Sequence, residues 1–323
     1  MKAAVATPNG LEIRDVPRPS PKPNEVLVRV RAASLNRADL AAARGAAHAS
    51  HGAAGSPIGL DWAGEVLETG REVKGIKAAD RVMCTGIGGY AEYAVCDRGR
   101  VVPMPAQGLT FEQAAALPLA AITMHDAVVA NGRLKPGESV LIQGASSGVG
   151  LMGLQIAWLM GANPVIGSST NEARRSRLKD YGADMVINSN DPGWPDEVLK
   201  ATAGNGVNLI IDQISGGVAI QNMKAAAVLA RIVNVGRLGG QKGEFDFDLH
   251  ALKRIDYIGV TFRTRSIEEV REIVRRMRAD LDEAIAAGKI RLPIDKVFPL
   301  DQAAAAHAHM RANQHFGKIL LVP

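Results

Sequence analysis

Three kinds of segment follow one another without a break at residues 140–160. A short apolar strand comes first, then a turn of small residues, then an apolar helix (VLIQGASSGVG, then LMGLQIAWLM). This succession constrains the chain more than any other feature. Val140, Leu141 and Ile142 read as a buried strand. Gly144-Ala145-Ser146-Ser147-Gly148-Val149-Gly150 reads as a glycine-rich turn that opens the helix. The first N–H groups of a helix have no intrahelical acceptor, and the helix dipole is positive there, so the turn is a cradle for a phosphate. Glycine lets the backbone approach both an anion and the strand behind it. The pattern is A-x-x-G-x-x-G rather than G-x-G-x-x-G, and alone it fits a ligand-free connection equally well.

The segments that follow favour the nucleotide reading. Strands are expected at 163–167 (NPVIG), 184–188, 208–212 (NLIID), 230–236 (ARIVNVG) and 256–261 (DYIGVT). A polar helix at 171–181 is stopped by Gly182. Short apolar strands alternating with helices indicate a doubly wound parallel sheet covered on both faces. A first crossover that carries the glycine turn places a dinucleotide at the switch point of such a sheet.

The first third reads differently. Residues 17–23 (PRPSPKP) form a proline-rich loop, and 25–33 (EVLVRVRAA) alternate as a half-buried antiparallel strand does. Further short strands are expected at 66–68, 81–84 and 91–95, which makes a β-rich domain. A helix at 114–130 leads into the parallel sheet. After the sixth strand come a helix at 266–287, a strand at 294–299, a helix at 300–312 and a strand at 317–322.

At 323 residues and 47% hydrophobic, the chain can bury two cores, and disorder is not expected. Two cysteines, Cys84 and Cys96, are too few for a disulfide framework or a four-cysteine zinc lobe and suit a reducing compartment. The stretch MKAAVATPNG lacks the apolar core of a signal peptide. The longest apolar runs, 114–124 and 151–160, fall short of the ~20 residues that span a bilayer. A soluble, cytoplasmic protein with no membrane partner is expected. Net charge is +5, but the basic residues are scattered. The cluster Arg271, Arg275, Arg276 and Arg278 alternates with Glu268, Glu269 and Glu272, as a solvated helix face does, so nucleic acid is not an expected partner.

Together these residues resemble a known family. The markers are Ser34-Leu35-Asn36-Arg37-Ala38-Asp39, Gly59-Leu60-Asp61-Trp62-Ala63-Gly64, Gly88-Gly89-Tyr90-Ala91-Glu92-Tyr93, Ala115-Ala116-Leu117-Pro118 with Thr123, the turn 145–150, and Gly317-Lys318-Ile319. They are similar to those of the zinc-independent medium-chain dehydrogenases/reductases of the quinone oxidoreductase (zeta-crystallin-like) type. The resemblance implies an α/β chain with two domains. One is a GroES-like β-rich catalytic domain over 1–121, completed by 264–323. The other is a Rossmann NADPH-binding domain over 122–263.

The zinc enzymes of the wider superfamily hold their metal with a cysteine, a histidine and a second cysteine. Those places here hold Asn36, Leu60 and Leu119, none of which supplies a thiolate or imidazole. His307 and His309 diverge on a helix and make no metal pair. No metal is therefore expected. Without a Lewis acid to ionise an alcohol, the reaction suits an acceptor that takes hydride readily, such as a quinone or conjugated carbonyl.

The resemblance also implies the cofactor site. NAD-preferring relatives carry an acid at the end of the second strand, where this chain has Ser169 followed by Arg174 and Arg175. A hydroxyl beside guanidinium groups suits the 2′-phosphate of NADPH. Tyr181 covers the same phosphate in this reading, and Ser146, Ser147, Gly148, Val149 and Gly150 take the pyrophosphate. Asn36 and Thr123 match catalytic positions near the nicotinamide, where Asn36 fixes the ring or polarises the acceptor carbonyl. Asn234, Val235 and Gly236 lie beneath the cofactor. Thr261, Phe262 and Arg263 bind the carboxamide, although strand packing accounts equally well for the first two. Lys318 reaches the pyrophosphate or the nicotinamide side.

One departure stands out. Close relatives show R-x-G-x-Y after the Asn36 motif, whereas here alanine stands in the tyrosine's place within Arg44-Gly45-Ala46-Ala47-His48. His48 or His51 offers a polar group in that loop.

The expected activity is NADPH-dependent reduction of a quinone or enone by a homodimer paired through the sixth strand. The alternatives are an enoyl or acrylate-type double-bond reductase, and a non-enzymatic crystallin-like or RNA-binding role.

Overall fold

The computed structural model describes residues 1–8, 10–44 and 55–323. The loop with His48 and His51 lies outside the described residues. The chain divides into two compact units, Met1–Ala120 with Arg263–Pro323, and Ala121–Phe262.

The second unit is built on six parallel strands in the order Met185–Ile187, Val165–Ser168, Val140–Ile142, Val207–Asp212, Ala226–Asn234, Asp256–Gly259. Numbered along the chain this is 3-2-1-4-5-6, the doubly wound order, with its switch point between the first and fourth strands. Val140, Leu141, Ile142, Leu209, Ile210 and Ile211 are fully buried, so consecutive residues on both faces are apolar, and that is why these strands read as runs rather than alternations. The fifth strand begins four residues earlier than expected. Its start at Ala226 pairs with Val207 in a run of alanines that carries no periodic signal. The sixth strand ends at Gly259, not at 261. The segment after the second strand is one α-helical turn, Glu172–Arg175, and a 3-10 stretch, Ser176–Tyr181, closed by Gly182 at φ 95°.

The first unit holds a sheet in the order Ile294–Pro299, Lys318–Val322, Glu25–Ser34, Asp61–Thr69, Arg81–Thr85, Val101–Pro103, with Tyr93–Asp97 also pairing Glu25–Ser34. The hairpin Lys2–Thr7 and Gly10–Asp15 and the first half of Asp61–Thr69 are additions to the expected strands. Glu25–Ser34 is not half-buried. Seven of its ten residues are buried, because the strand is central and packs on both sides. Lys318–Val322 runs antiparallel to the end of this strand, with Leu320 opposite Ser34. The Leu35 N–H donates to the Ile319 carbonyl at 2.9 Å. Sheet pairing thus carries Lys318 to Asn36. Val26, Val28, Trp62, Val82, Ile319 and Leu321 belong to the core behind them.

The helix expected at 114–130 is broken. Phe111–Ala115 gives way to Pro118–His125 and then to a π-helical turn, Asp126–Asn131. Phe111–Asn131 is long and apolar enough, by length and composition, to cross a bilayer, which the shorter runs read from the sequence are not. Of its apolar window 72% is buried within the protein, which accounts for its composition without a membrane.

Candidate active site

The glycine-rich turn 144–150 is assembled by hydrogen bonds that use up most, but not all, of its donors. Ser147 caps the helix Gly148–Leu159, its hydroxyl accepting from the Gly150 N–H at 2.9 Å. The same hydroxyl lies 3.0 Å from the Gly144 carbonyl and 3.1 Å from Gln213 Oε1. Gly144, at φ 70°, donates its N–H to Ser168 Oγ at 3.0 Å. Ser168 in turn donates to Gln143 Oε1 at 2.6 Å. Gln213 Nε2 donates to the Gln143 carbonyl at 2.9 Å. This network fixes the turn to the ends of three strands. Among the described residues nothing accepts from the N–H of Gly148 or Val149, the two groups at the positive end of the helix. A Cβ at Gly150 would lie 2.5 Å from the Gly144 carbonyl oxygen, so only glycine lets the helix start this close to the turn. Free N–H groups at a glycine-tight helix start fit the pyrophosphate of a dinucleotide.

At the second strand's end Ser169 is nearly buried. Its hydroxyl lies 3.1 Å from that of Ser146, and Arg175 Nη1 donates to its carbonyl at 3.0 Å. Arg174 donates its backbone N–H to Asn171 Oδ1 at 2.9 Å and its side chain is half-buried. Tyr181 is buried at the end of the 3-10 stretch.

At the fourth and fifth strand ends the N–H groups of Val235 and Gly236 donate to the Asp212 carbonyl at 2.8 and 3.2 Å. Asn234 Nδ2 donates to Ser215 Oγ, which donates to the Gly236 carbonyl at 2.6 Å. Ser215 sits at φ 58°, a region that costs a non-glycine residue about 1–3 kcal/mol. Asp212 Oδ1 accepts from the Ile214 and Ser215 N–H groups, which holds this turn in place. Thr261 and Phe262 are half-buried beyond the sixth strand, and Arg263 is exposed. Thr123 is half-buried in the helix Pro118–His125.

In the first unit Asn36 lies in a buried polar cluster. Its Nδ2 donates to Asp61 Oδ1 at 2.7 Å and to the Ser34 carbonyl at 3.3 Å. Its Oδ1 accepts from Lys318 Nζ at 2.8 Å. Asp61 Oδ1 also accepts from Ser34 Oγ at 2.7 Å, and Asp61 Oδ2 accepts from the Leu119 N–H at 3.4 Å. Lys318 Nζ stands 3.6 Å from Asp61 Oδ2. Burial pushes the Asp61 carboxyl up, while Lys318, Ser34 and Asn36 pull it back. The Asn36 backbone N–H donates to Asp39 Oδ2 at 2.8 Å, and Tyr90 donates its hydroxyl to the same oxygen at 2.7 Å. Burial, followed by the Asp39 charge, pushes the Tyr90 phenol well above its ordinary value.

Sequence reasoning named Asn36 and Lys318 separately, 282 positions apart, and the sheet joins them. Ser34 and Asp61 were missed as site residues. Asp61 had a signal, being a lone acid inside the otherwise apolar stretch Leu60-Asp61-Trp62-Ala63. Gln143, Gln213 and Ser215 were missed because only tertiary contacts give them a role.

The zinc-ligand places do not fit zinc. Leu60 and Leu119 offer hydrocarbon, and the Asn36 amide is engaged by an ammonium that would repel a cation. Cys84 and Cys96 are buried elsewhere, and burial holds the Cys84 thiol well above its ordinary range. His307 is buried against the Tyr90 ring, while His309 pairs with Asp295 at 2.7 Å, so the two diverge. Among the described residues no three His, Cys, Asp or Glu side chains gather as a metal site would require.

Comparison with known proteins agrees with this architecture. Residues 22–106 match the alcohol dehydrogenase GroES-like domain, and residues 148–279 match the zinc-binding dehydrogenase domain. None of Asn36, Leu60 and Leu119 falls within the second match. The chain is 30% identical over 311 residues to quinone oxidoreductase of Rattus norvegicus, across 95% of this chain and 92% of that protein. It is 29% identical over 325 residues to the mycocerosic acid synthase-like polyketide synthase of Mycobacterium tuberculosis. There the match takes in 99% of this chain but spans only 15% of the synthase. The solved structure of CurK enoyl reductase superposes with a TM-score of 0.86 at 26% identity, over 99% of this chain and 98% of that one.

Proposed function

The chain belongs to the medium-chain dehydrogenase/reductase family, as a quinone oxidoreductase-like member, and from that we propose that it is a zinc-independent NADPH-dependent reductase of quinones or conjugated carbonyls. The observation that carries this reading is the Asn36–Asp61–Lys318 cluster, an amide and a buried ammonium standing where metal ligands would be needed to ionise an alcohol.

Bound nicotinamide supplies a hydride to the electrophilic carbon of the acceptor. The residues of the chain bind and orient. The N–H groups of Gly148 and Val149 receive the pyrophosphate, with Ser146, Ser147 and Gly150 shaping the turn. Ser169 and Arg174, with Arg175 fixed beside them, receive the 2′-phosphate, which an acid there would repel. Asn234, Val235 and Gly236 support the cofactor from the fifth strand, and Tyr181, Thr261, Phe262 and Arg263 contribute at its two ends. Thr123, in the second unit, takes the nicotinamide end of the cofactor, and Asn36, in the first, orients Lys318.

The second reading, an enoyl-type double-bond reductase, is favoured by the likeness to CurK enoyl reductase and to the polyketide synthase. Steady-state rates with 1,4-benzoquinone, 9,10-phenanthrenequinone and a 2-enone, each with NADPH and NADH, separate the readings. Quinone turnover with NADPH that survives EDTA is expected. Preference for the enone supports the second reading. Turnover that requires one bound zinc per chain overturns both.

A further inference from the structure

Hydrogen-bond accounting around Asn36 leaves one buried cation with capacity to spare. The Asn36 amide donates to Asp61 and Ser34 and accepts from Lys318, so neither of its N–H bonds is free for an acceptor molecule. Asp61 accepts from Ser34, Asn36 and the Leu119 N–H. The Lys318 ammonium carries three N–H bonds. One goes to Asn36 Oδ1, and Asp61 Oδ2, at 3.6 Å, is an ion-pair partner beyond hydrogen-bond reach. Among the described residues no other acceptor takes a Lys318 proton. Lys318 is 3% exposed and Asp61 0%. A buried ion pair is commonly matched or bettered in stability by apolar residues of the same volume, so packing is a poor account of an ammonium here.

We propose that Lys318 is the electrophilic residue of the reduction, donating its unspent N–H to the acceptor's carbonyl oxygen, with Asp61 and Asn36 as positioning residues that hold the ammonium in place. The proposal rests on the reductase reading above and transfers to Lys318 the polarising role that the sequence assigned to Asn36. As hydride arrives, a C–H bond forms at the electrophilic carbon and the acceptor's displaced electron pair moves onto the oxygen. The nicotinamide is oxidised and the acceptor is reduced by two electrons. Lys318 stays protonated throughout, and the oxygen takes its proton from water. A fixed positive group aimed where negative charge develops stabilises the transition state more than the ground state.

Lys318→Met alone leaves Asp61 buried without a counter-charge and risks misfolding, so it is paired with the uncharged double variant Lys318→Met/Asp61→Asn and with Lys318→Arg. Three readouts are taken on variants whose melting shows them folded. These are NADPH affinity by fluorescence, kcat and KM across substituted 1,4-benzoquinones of graded reduction potential, and the ionisation of bound 4-nitrophenol by absorbance. In the double variant NADPH affinity should stay within about twofold. The kcat should fall on the order of a hundredfold or more, the size of effect seen when one such donor is removed. The loss should be greatest for the weakest acceptors, so that the dependence of kcat on acceptor potential steepens. Lys318→Arg, which keeps the charge, should recover at least tenfold. Wild type should bind nitrophenol as the phenolate, and the double variant should not.

A tenfold or larger loss of NADPH affinity with kcat retained would make Lys318 a cofactor contact and overturn the proposal. So would an unchanged kcat and slope in the folded double variant. If wild type reduces none of the acceptors but binds the phenolate in a Lys318-dependent way, the reductase reading fails and the oxyanion site stands. Absence of Lys318-dependent phenolate binding overturns the proposal whatever the activity.

Discussion

Gly150 and Gly153 lie one turn apart on the helix Gly148–Leu159, and both are buried. Alanine at either position gains helix propensity of about 1 kcal/mol over glycine. What the new methyl group meets is different. At Gly150 it would lie 2.5 Å from the Gly144 carbonyl oxygen, 2.6 Å from Ala145 Cα and 2.8 Å from the Ala145 carbonyl carbon. All three are backbone, and carbon contacts need roughly 3.5 Å, so the helix start must move by on the order of 1 Å. Overpacking of this kind costs about 1–3 kcal/mol, which leaves a net loss of up to ~2 kcal/mol after the propensity gain. At Gly153 the nearest atom is Met124 Sδ at 3.0 Å, the movable end of a flexible side chain. Gly153→Ala should therefore be neutral or stabilising by up to ~1 kcal/mol. The displacement caused by Gly150→Ala also moves the free N–H groups of Gly148 and Val149 away from a bound phosphate. NADPH affinity should fall tenfold or more, about 1.4 kcal/mol. The assay is thermal melting of both variants with and without NADPH, together with a direct NADPH titration. A loss of 1 kcal/mol corresponds to roughly 2–4 °C for domains of 150–250 residues. Gly150→Ala should melt lower and be stabilised less by NADPH. Gly153→Ala should melt at or above wild type with unchanged affinity. Wild-type NADPH affinity in Gly150→Ala, or equal damage in both variants, would refute the placement of the phosphate at this helix start.

Four further outcomes are expected. Ser169→Asp adds repulsion towards the 2′-phosphate and offers NADH a ribose acceptor, so the ratio of kcat/KM for NADPH to that for NADH should fall about a hundredfold, the size of two charged hydrogen bonds. Arg174→Ala should weaken NADPH alone, and a wild type that prefers NADH would defeat this assignment. Burial lowers the pKa of His307 from 6.5 to about 4, against the pull of Asp39 and with the push of Arg311. The unfolded chain therefore takes up the proton first, and this contribution, up to about 3 kcal/mol, is full above pH 6.5 and is lost as pH falls towards 4. His307→Leu should flatten urea-measured stability between pH 7.5 and 5, and an unchanged slope would exclude His307 as its source. Among the described residues the edge strand Asp256–Gly259 pairs on one side only, with Ala226–Asn234, and the helix before it, Phe247–Lys253, exposes Phe247 and Leu252. Such an edge invites pairing, so sedimentation at micromolar concentration should give a dimer and Tyr257→Glu should shift it towards monomer, whereas a wild-type monomer would count against pairing.

The sequence is legible where burial is two-sided and local. Val140–Ile142 is read from the sequence at its observed bounds, because it is a short, wholly buried run of strand-forming residues followed by a turn signal. The helix Ile267–Ala286 is announced by Ser266, whose hydroxyl accepts from the Glu269 N–H. Legibility fails where local chemistry is neutral. The alanines at 225–227 favour a helix as readily as a strand, and pairing with Val207 decides between them. Pro118 lies in a continuous apolar stretch whose composition suits a helix throughout, and its ring breaks that helix in two. Of the twelve residues in the paired strands Lys2–Thr7 and Gly10–Asp15 nine are small or polar, and their burial depends on what packs over them.

The same division runs through the site. The strand–turn–helix connection at 140–159 was readable because glycine spacing, strand and helix are all local to that short stretch. The absence of thiolate or imidazole at the three zinc places was readable too, since it concerns residue type alone. The sequence by itself therefore determined a doubly wound nucleotide-binding unit, a β-rich companion and a set of donors unsuited to zinc. Tertiary structure alone decided that Lys318 points at Asn36 and Asp61. No local pattern can specify that contact, because it arises when Lys318–Val322 pairs with Glu25–Ser34, and hydrogen-bond partners 282 residues apart are chosen by sheet register, not by neighbours in the chain.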